Sequence, residues 1–293
     1  MSGAAAHGPG VRPIDPVRCF PPERIVCLTE ETVETLYLLG QEDRIVGGSG
    51  YAVRPKRVRQ EKPRVSAFTS ADVPKILALN PDLVLTFSDL QADIAADLIR
   101  AGVTVMAYNQ RDVAGILAMI RQLGTMVYQA DQAMHLADGF ERRLDEIATK
   151  TSQTTRPLVY FEEWDDPMIS GIKWVSELVE IAGGADVFPS QAQADAAKDR
   201  IVTTEQVIAT APDVILASWC GKKVRPEKIC ARPGWDVIPA VQSGRITEIK
   251  SPLILQPGPA ALTDGLDAIL AALAPSEEIT NDSDKPLHRH LQT

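Results

Sequence analysis

Short apolar runs rich in Val, Ile and Leu recur along the chain: Arg24–Leu28, Arg44–Val46, Leu83–Phe87, Val103–Tyr108, Leu158–Phe161, Val214–Ala217 and Arg245–Glu248. Stretches with helical spacing of apolar positions separate them. This alternation predicts βαβ units with mainly parallel sheets, an α/β fold. Parallel strands covered by helices on both faces need no apolar–polar alternation, which suits such continuous runs. One segment departs from the pattern. From Asp112 to Gln153 there is no proline and no strand-like run, and apolar residues recur at Ile116, Ile120, Leu123, Val127, Met134, Ala137, Phe140, Leu144 and Ile147. That spacing is the stripe of an amphipathic helix, and roughly forty residues at 1.5 Å each would reach about 60 Å. The segment predicts a single long helix joining two lobes. Two ordinary packed helices are the alternative, with Gly124 and Gly139 as the places where the helix bends or divides.

An internal repeat supports two lobes. Residues Ile76–Asp89 read ILALNPDLVLTFSD and Val207–Cys220 read VIATAPDVILASWC. Each is a helix end, a Pro-Asp turn and a four-residue apolar strand, the proline stopping the helix. A weaker echo links Glu34–Gly40 (ETLYLLG) with Glu177–Gly183 (ELVEIAG). The expected organisation is a leader over 1–23, an N-terminal α/β lobe over 24–111, the joining helix over 112–153, a C-terminal α/β lobe over 154–274 and a loose tail over 275–293. His288 and His290 lie in that tail and are a weak metal signal.

Ligands of parallel α/β sheets bind beyond the carboxyl ends of the strands. The residues found there are Glu30 and Glu31; Ser49 and Tyr51; Phe68; Ser88, Asp89 and Gln91; Asn109 and Arg111; Glu162, Glu163, Trp164 and Asp165; Trp219, Cys220 and Lys222; and Gln256. Aromatic residues make up only 5% of the chain, yet Tyr51, Phe68, Trp164 and Trp219 all fall at strand ends, with Trp235 in a loop soon after. Such a surface suits a bulky planar ligand. The expected ligand contacts are Glu30, Tyr51, Phe68, Ser88, Asp89, Asn109, Trp164, Trp219, Cys220, Trp235 and Gln256.

Composition narrows the function classes. With 30 Lys+Arg against 39 Asp+Glu the net charge is −9, which argues against nucleic acid as a partner. No apolar run approaches the roughly 20 residues of a transmembrane helix. Four cysteines, Cys19, Cys27, Cys220 and Cys230, are too scattered for a disulfide scaffold. Cys27 and Cys220, near strand ends, read first as buried small residues and second as a thiolate site or redox pair across a cleft. There is no GxxxxGK[ST] and no GxSxG, and the one histidine outside the terminal segments, His135, falls in the long helix. No catalytic constellation, resident cofactor or metal site is expected. The first residues, MSGAAAHGPGVRPIDPVRCFPPER, show no apolar h-region, so the sequence as it stands predicts a cytoplasmic location; a monomer is expected.

RIVCLTEETVETLYLLG, ILALNPDLVL, LIRAGVTVMAYN, ELVEIAGG, VIATAPDVIL and WDVIPAVQSGRI resemble, in matching order from Arg24 to Ala274, the substrate-binding proteins of cobalamin and iron–siderophore ABC importers. The resemblance implies two lobes on one rigid helix with a corrinoid or metal chelate between them. It is nearest the cobalamin-binding branch, whose aromatic residues lie against the corrin. An iron–siderophore or haem ligand is the alternative, and a cytosolic enzyme or chaperone acting on a corrinoid or metal cofactor is the reading from a different class. The resemblance also implies export to the periplasm and docking on a permease through one glutamate per lobe. Glu205 matches in the second lobe, whereas Pro74, followed by Lys75, stands at the corresponding position of the first.

Overall fold

The computed structural model describes residues 20–153 and 155–275; Cys19, His288, His290 and the rest of the two terminal segments lie outside them. The N-terminal lobe runs β1 (Ile25–Cys27), α1 (Glu30–Leu38), β2 (Ile45–Ser49), α2 (Val58–Glu61), β3 (Arg64–Ala67), β4 (Ser70–Ala71), α3 (Val73–Ala78), β5 (Leu83–Phe87), α4 (Ala92–Arg100) and β6 (Val105–Tyr108). Two helices follow, α5 (Val113–Met126) and α6 (Ala130–Thr151). The C-terminal lobe begins with β7 (Leu158–Asp165), β8 (Met168–Ser170), α7 (Lys173–Ile181), β9 (Ala185–Asp186), α8 (Thr204–Thr210) and β10 (Val214–Ala217). It ends with α9 (Pro226–Cys230), α10 (Pro239–Gln242), β11 (Ile246–Glu248), α11 (Ser251–Ile254) and α12 (Leu266–Leu273).

The first sheet has the order β4-β3-β2-β1-β5-β6 and the second β11-β10-β7-β8, with β9 also on β7. All pairs are parallel except β3–β4 and β7–β8. The strand order reverses beside β1 in one sheet and beside β7 in the other, and crevices for ligands open at such switch points.

The Pro-Asp repeat has a common structural use. Asp82 accepts the backbone N–H groups of Glu23 (2.7 Å) and Arg24 (3.0 Å), and Asp213 accepts that of Leu158 (2.8 Å). Each aspartate thus ties the strand it precedes to the start of its lobe's first strand. The second echo also has a physical basis: α1 and α7 are followed by Gly40 and Gly183 at φ +63° and +88°, the left-handed turn that glycine adopts without steric cost.

The single helix expected over 112–153 is not found. The chain turns at Val127–Gln129, where Tyr128 takes φ +60°, and α6 folds back along α5. The reason is contact: a Cβ on Gly124 would lie 2.1 Å from that of Ala133, so only glycine admits so close a crossing. Arg121 then bridges the hairpin to Asp138 and Glu141, both at 2.8 Å. The apolar stripe is shared by both helices, which bury it, except for the exposed Met134, in one continuous core with β1, β5, β7, α1, α7 and α12.

The seam between the lobes is pinned by more than this core. Arg54 pairs with Glu34 (2.8 Å) in its own lobe and with Asp264 (2.6 Å) in the other. The second Glu34 oxygen accepts the Ala260 N–H at 3.1 Å, and Gln110 donates to the Pro257 carbonyl at 2.9 Å. Gly258 packs so tightly on Glu31 that a Cβ there would sit 2.4 Å from the Glu31 Cβ. A wide hinge would break all of these contacts together. Small-angle scattering should therefore give the same radius of gyration with and without ligand; a compaction of several ångströms would refute a rigid seam.

Candidate functional site

In the N-terminal lobe the switch point is built by the ends of β1, β2 and β5. Thr29, Glu30 and Glu31 begin α1, so both carboxyls sit at a helix N-terminus, yet both are buried, with Glu31 only 1% exposed. Burial pushes the Glu31 carboxyl up to about 8, with the neighbouring Glu30 charge adding to the shift and the Thr29 hydroxyl opposing it. Glu30 is also raised, again by burial, against its own backbone N–H and the Ser49 hydroxyl. Ser49 donates to Glu30 Oε1 at 3.1 Å and accepts the Tyr51 N–H at 3.1 Å, while the Tyr51 ring is half exposed. Gln91 is fully buried: it accepts the Phe87 N–H (3.0 Å) and donates to the Phe68 carbonyl (2.8 Å), which positions Phe68 against the strand ends.

Ser88 is buried at φ +60° and caps the next turn through Leu90. Asp89 and Asn109 are exposed and both bind Arg111, whose guanidinium stacks 5.1 Å from the Phe87 ring centre. Gln256 is half-buried in the segment that crosses the seam.

In the C-terminal lobe β7 runs on through the residues expected to form a loop, because it pairs with β8 as a hairpin. Glu162 therefore faces inward and is 0% exposed. Its carboxylate takes two bonds from Arg232, one at 3.0 Å, and accepts the Trp219 indole N–H (3.0 Å) and the Tyr160 hydroxyl (3.2 Å). Next to it, Glu163 is held bidentately by the buried Arg200 at 2.6 and 3.0 Å. Arg232 and Arg200 were not foreseen, since isolated arginines 70 and 37 residues downstream carry no local signal.

Two aromatic expectations are corrected. Trp235 is fully buried against Tyr160 and under the Arg232 guanidinium, and belongs to the core of its lobe. Trp219 is 97% buried, at 3% exposure, because its N–H is drawn down to Glu162; it shapes the wall and presents little surface. Trp164 keeps a half-open face, with the Lys222 ammonium 3.8 Å from its ring centre and ion-paired to Asp165.

The cysteines separate as well. Cys27 is fully buried in the core and burial pushes its thiol up to about 12, so it is no partner for Cys220. Cys220 is exposed; burial raises its thiol first, and the charges of Glu30 and Glu163 raise it further, although Glu30 belongs to the other lobe. His135 lies on α6 with Nδ1 2.7 Å from the Asp131 carbonyl of its own helix. No group of three or more His, Cys, Asp or Glu side chains suited to a metal occurs among the described residues, and no described helix is long and apolar enough to cross a membrane.

The docking positions are also resolved. Glu205 stands exposed in the first turn of α8, behind a capping box of Thr203 and Gln206, and the helix N-terminus holds its carboxyl below the usual range. Pro74 occupies the first turn of α3, which Asp72 caps through the Lys75 N–H (3.0 Å), and the Lys75 ammonium is turned onto the Arg64 carbonyl (2.6 Å).

An uncharacterised ABC transporter substrate-binding lipoprotein, YvrC of Bacillus subtilis, is 26% identical over 264 residues, covering 87% of this chain and 81% of that protein. A vitamin B12-binding protein of Vibrio parahaemolyticus is 26% identical over 246 residues, covering 83% and 86%. Among solved structures, a possible iron-binding periplasmic protein of Staphylococcus epidermidis superposes with a TM-score of 0.74 at 22% identity, covering 87% of this chain and 100% of that one. The periplasmic haem-binding protein RhuT of Roseiflexus sp. RS-1 does so at 0.72 and 24%, covering 85% and 98%. The YvrC relative is a lipoprotein and the matching family model is that of periplasmic binding proteins, which overturns the cytoplasmic expectation. The periplasmic binding protein family model matches residues 25–253, and the chain belongs to that family.

Proposed function

We propose that this protein is the substrate-binding component of an ABC importer and that it holds a corrinoid, cobalamin, between its two lobes. One observation carries the choice of ligand. The aromatic surface kept at the strand ends is the exposed Tyr51 and half-buried Phe68 on one lobe and the half-buried Trp164 on the other. It is accompanied by two cations that are already paired, Arg111 with Asp89 and Lys222, over the Trp164 ring, with Asp165, while Lys223 and Arg225 stand exposed beyond them. Apolar faces with few unpaired charges suit a large, amide-edged macrocycle better than an anionic ferric chelate. The vitamin B12-binding relative supports the same choice. The ligand is cargo, and the chain's part is to bind and release it unchanged. Glu205 is the anion offered to a permease from the C-terminal lobe. With Pro74 at the matching position of the other lobe, docking rests on one charge pair where two would fix orientation.

Titration with cyanocobalamin should quench Trp fluorescence with micromolar or tighter affinity. Tyr51→Ala should weaken binding by about 1–3 kcal/mol, the usual loss for an aromatic contact. Absence of binding at micromolar concentrations would end the corrinoid reading, and tight binding of haem in the same assay would replace it.

A further inference from the structure

The corrinoid reading accounts for the aromatic faces and leaves one acidic side chain without a role. Glu30 is only 8% exposed; its Oε1 accepts the Ser49 hydroxyl, and its buried Oε2 has no hydrogen-bond partner among the described residues. Ser49 in turn holds the backbone of Tyr51, so the orphan oxygen, the hydroxyl and the exposed ring form one connected unit at the end of β2. Glu30 begins α1 with two residues between it and the end of β1, so the carboxyl sits at the carboxyl end of the sheet, at the switch point of its lobe. Buried acceptors are nearly always satisfied, and an unsatisfied one beside a ligand surface is a place for a ligand donor. Of the carboxyls around it, Glu163 is neutralised by Arg200, and Glu31, bonded to Thr29 through Oε1 alone, also has an Oε2 without a hydrogen-bond partner among the described residues but lies at 1% exposure under Gly258. Glu30 is the one of the two joined through Ser49 to the exposed Tyr51.

We propose that Glu30 is a specificity-determining residue: its Oε2 accepts a hydrogen bond from a carboxamide N–H or hydroxyl at the edge of the bound macrocycle and disfavours a carboxylate there. The inference rests on the macrocycle reading above. A carboxylate edge has no proton to donate and would bring a second negative charge against Glu30 in a poorly hydrated site. A carboxamide presents its N–H and completes the hydrogen bonding that the free protein lacks.

The test compares dicyanocobinamide, whose edge carries carboxamides, with dicyanocobyrinic acid, the same ring edged with carboxylates. Both are titrated against the unaltered protein and Glu30→Gln. The unaltered protein should prefer the amide form by about tenfold or more, as expected for one hydrogen bond to a charged group. Glu30→Gln keeps the shape and supplies an N–H, so the preference should narrow several-fold, mainly through tighter binding of the carboxylate form. An unchanged ratio in the variant overturns the role of Glu30 while leaving the corrinoid reading intact. If the protein binds porphyrins and not corrinoids, haem and its bis-amide decide the role of Glu30 by the same ratio, and the corrinoid reading alone falls. If neither kind of macrocycle binds, both fall.

Discussion

Replacing Arg232 by Met should destabilise the protein by roughly 3–5 kcal/mol, the cost of leaving a buried charge without its partner. Glu162 lies at 0% exposure, and Arg232 supplies two of its hydrogen bonds and its only ion-pair partner among the described residues, the other hydrogen bonds coming from Trp219 and Tyr160. Without the guanidinium the carboxylate must either remain charged in the core of the lobe or take up a proton. The variant also loses the cation–π contact of Arg232 with Trp235, 4.5 Å from the ring centre. At about 2–4 °C per kcal/mol for a chain of this size, the midpoint of thermal unfolding should drop by roughly 10 °C. The double variant Glu162→Leu with Arg232→Met should recover a large part of that loss, because a buried pair replaced as a pair costs little. A single-variant loss below about 1 kcal/mol would show that the pair is not sealed from water.

Stability should fall as pH rises from about 4.5 to 8, and Glu31→Gln should remove much of that slope. The folded-state carboxyl stands at about 8 against an ordinary value of 4.5, so within this window the folded chain holds a proton that the unfolded chain has released. The contribution is fully present below the unfolded value and is lost as pH passes through the folded one. At about 1.4 kcal/mol per pH unit, tempered by water reaching the seam, the loss by pH 8 is roughly 2–4 kcal/mol. Glutamine keeps an oxygen for the Thr29 hydroxyl and carries no charge, so the variant should match the parent near pH 5 and exceed it near pH 8. Glu30 shifts in the same direction and leaves a smaller residual slope. Urea unfolding at pH 5, 6.5 and 8 measures both profiles, and parallel profiles would contradict a protonated Glu31.

Much of the fold can be read locally. Runs such as Leu83–Phe87 and Val214–Ala217 are strands with the expected bounds, because a buried parallel strand needs only a short apolar segment between a turn and a helix. The Pro-Asp repeat is legible for the same reason: the proline ends the helix and the aspartate binds the backbone beside it in both lobes. The short strands β4, β8 and β9 leave no such mark, since two or three residues carry no period and depend on the strand they join.

The candidate site is only half legible. Position along the chain puts Glu30, Tyr51, Phe68 and Trp219 just beyond strand ends, and there the structure has them, whereas Trp164 lies within the extended β7. Which side chains show a face to the cleft is settled by partners far away in sequence. Arg232 draws Glu162 inward from 70 residues off, Glu162 in turn holds the Trp219 indole, and Trp235 is covered with them, so two of the three tryptophans of the expected site become wall and core.

The sequence by itself determined the α/β class, the two lobes and the strand-end positions, because each follows from apolar periods and turn residues acting over a few neighbours. Only the tertiary structure decided that the segment 112–153 is a hairpin of two helices. A stripe of apolar residues has the same period whether its helix runs on or folds back, and the choice falls to the close contact of Gly124 with Ala133. It likewise decided how the carboxyls are partnered. Glu30, Glu31 and Glu34 share one helix turn, yet Arg54 and the Ala260 N–H satisfy Glu34, Gly258 covers Glu31, and Glu30 is the one bonded to the Ser49 hydroxyl beside the exposed Tyr51, with its second oxygen unbonded among the described residues.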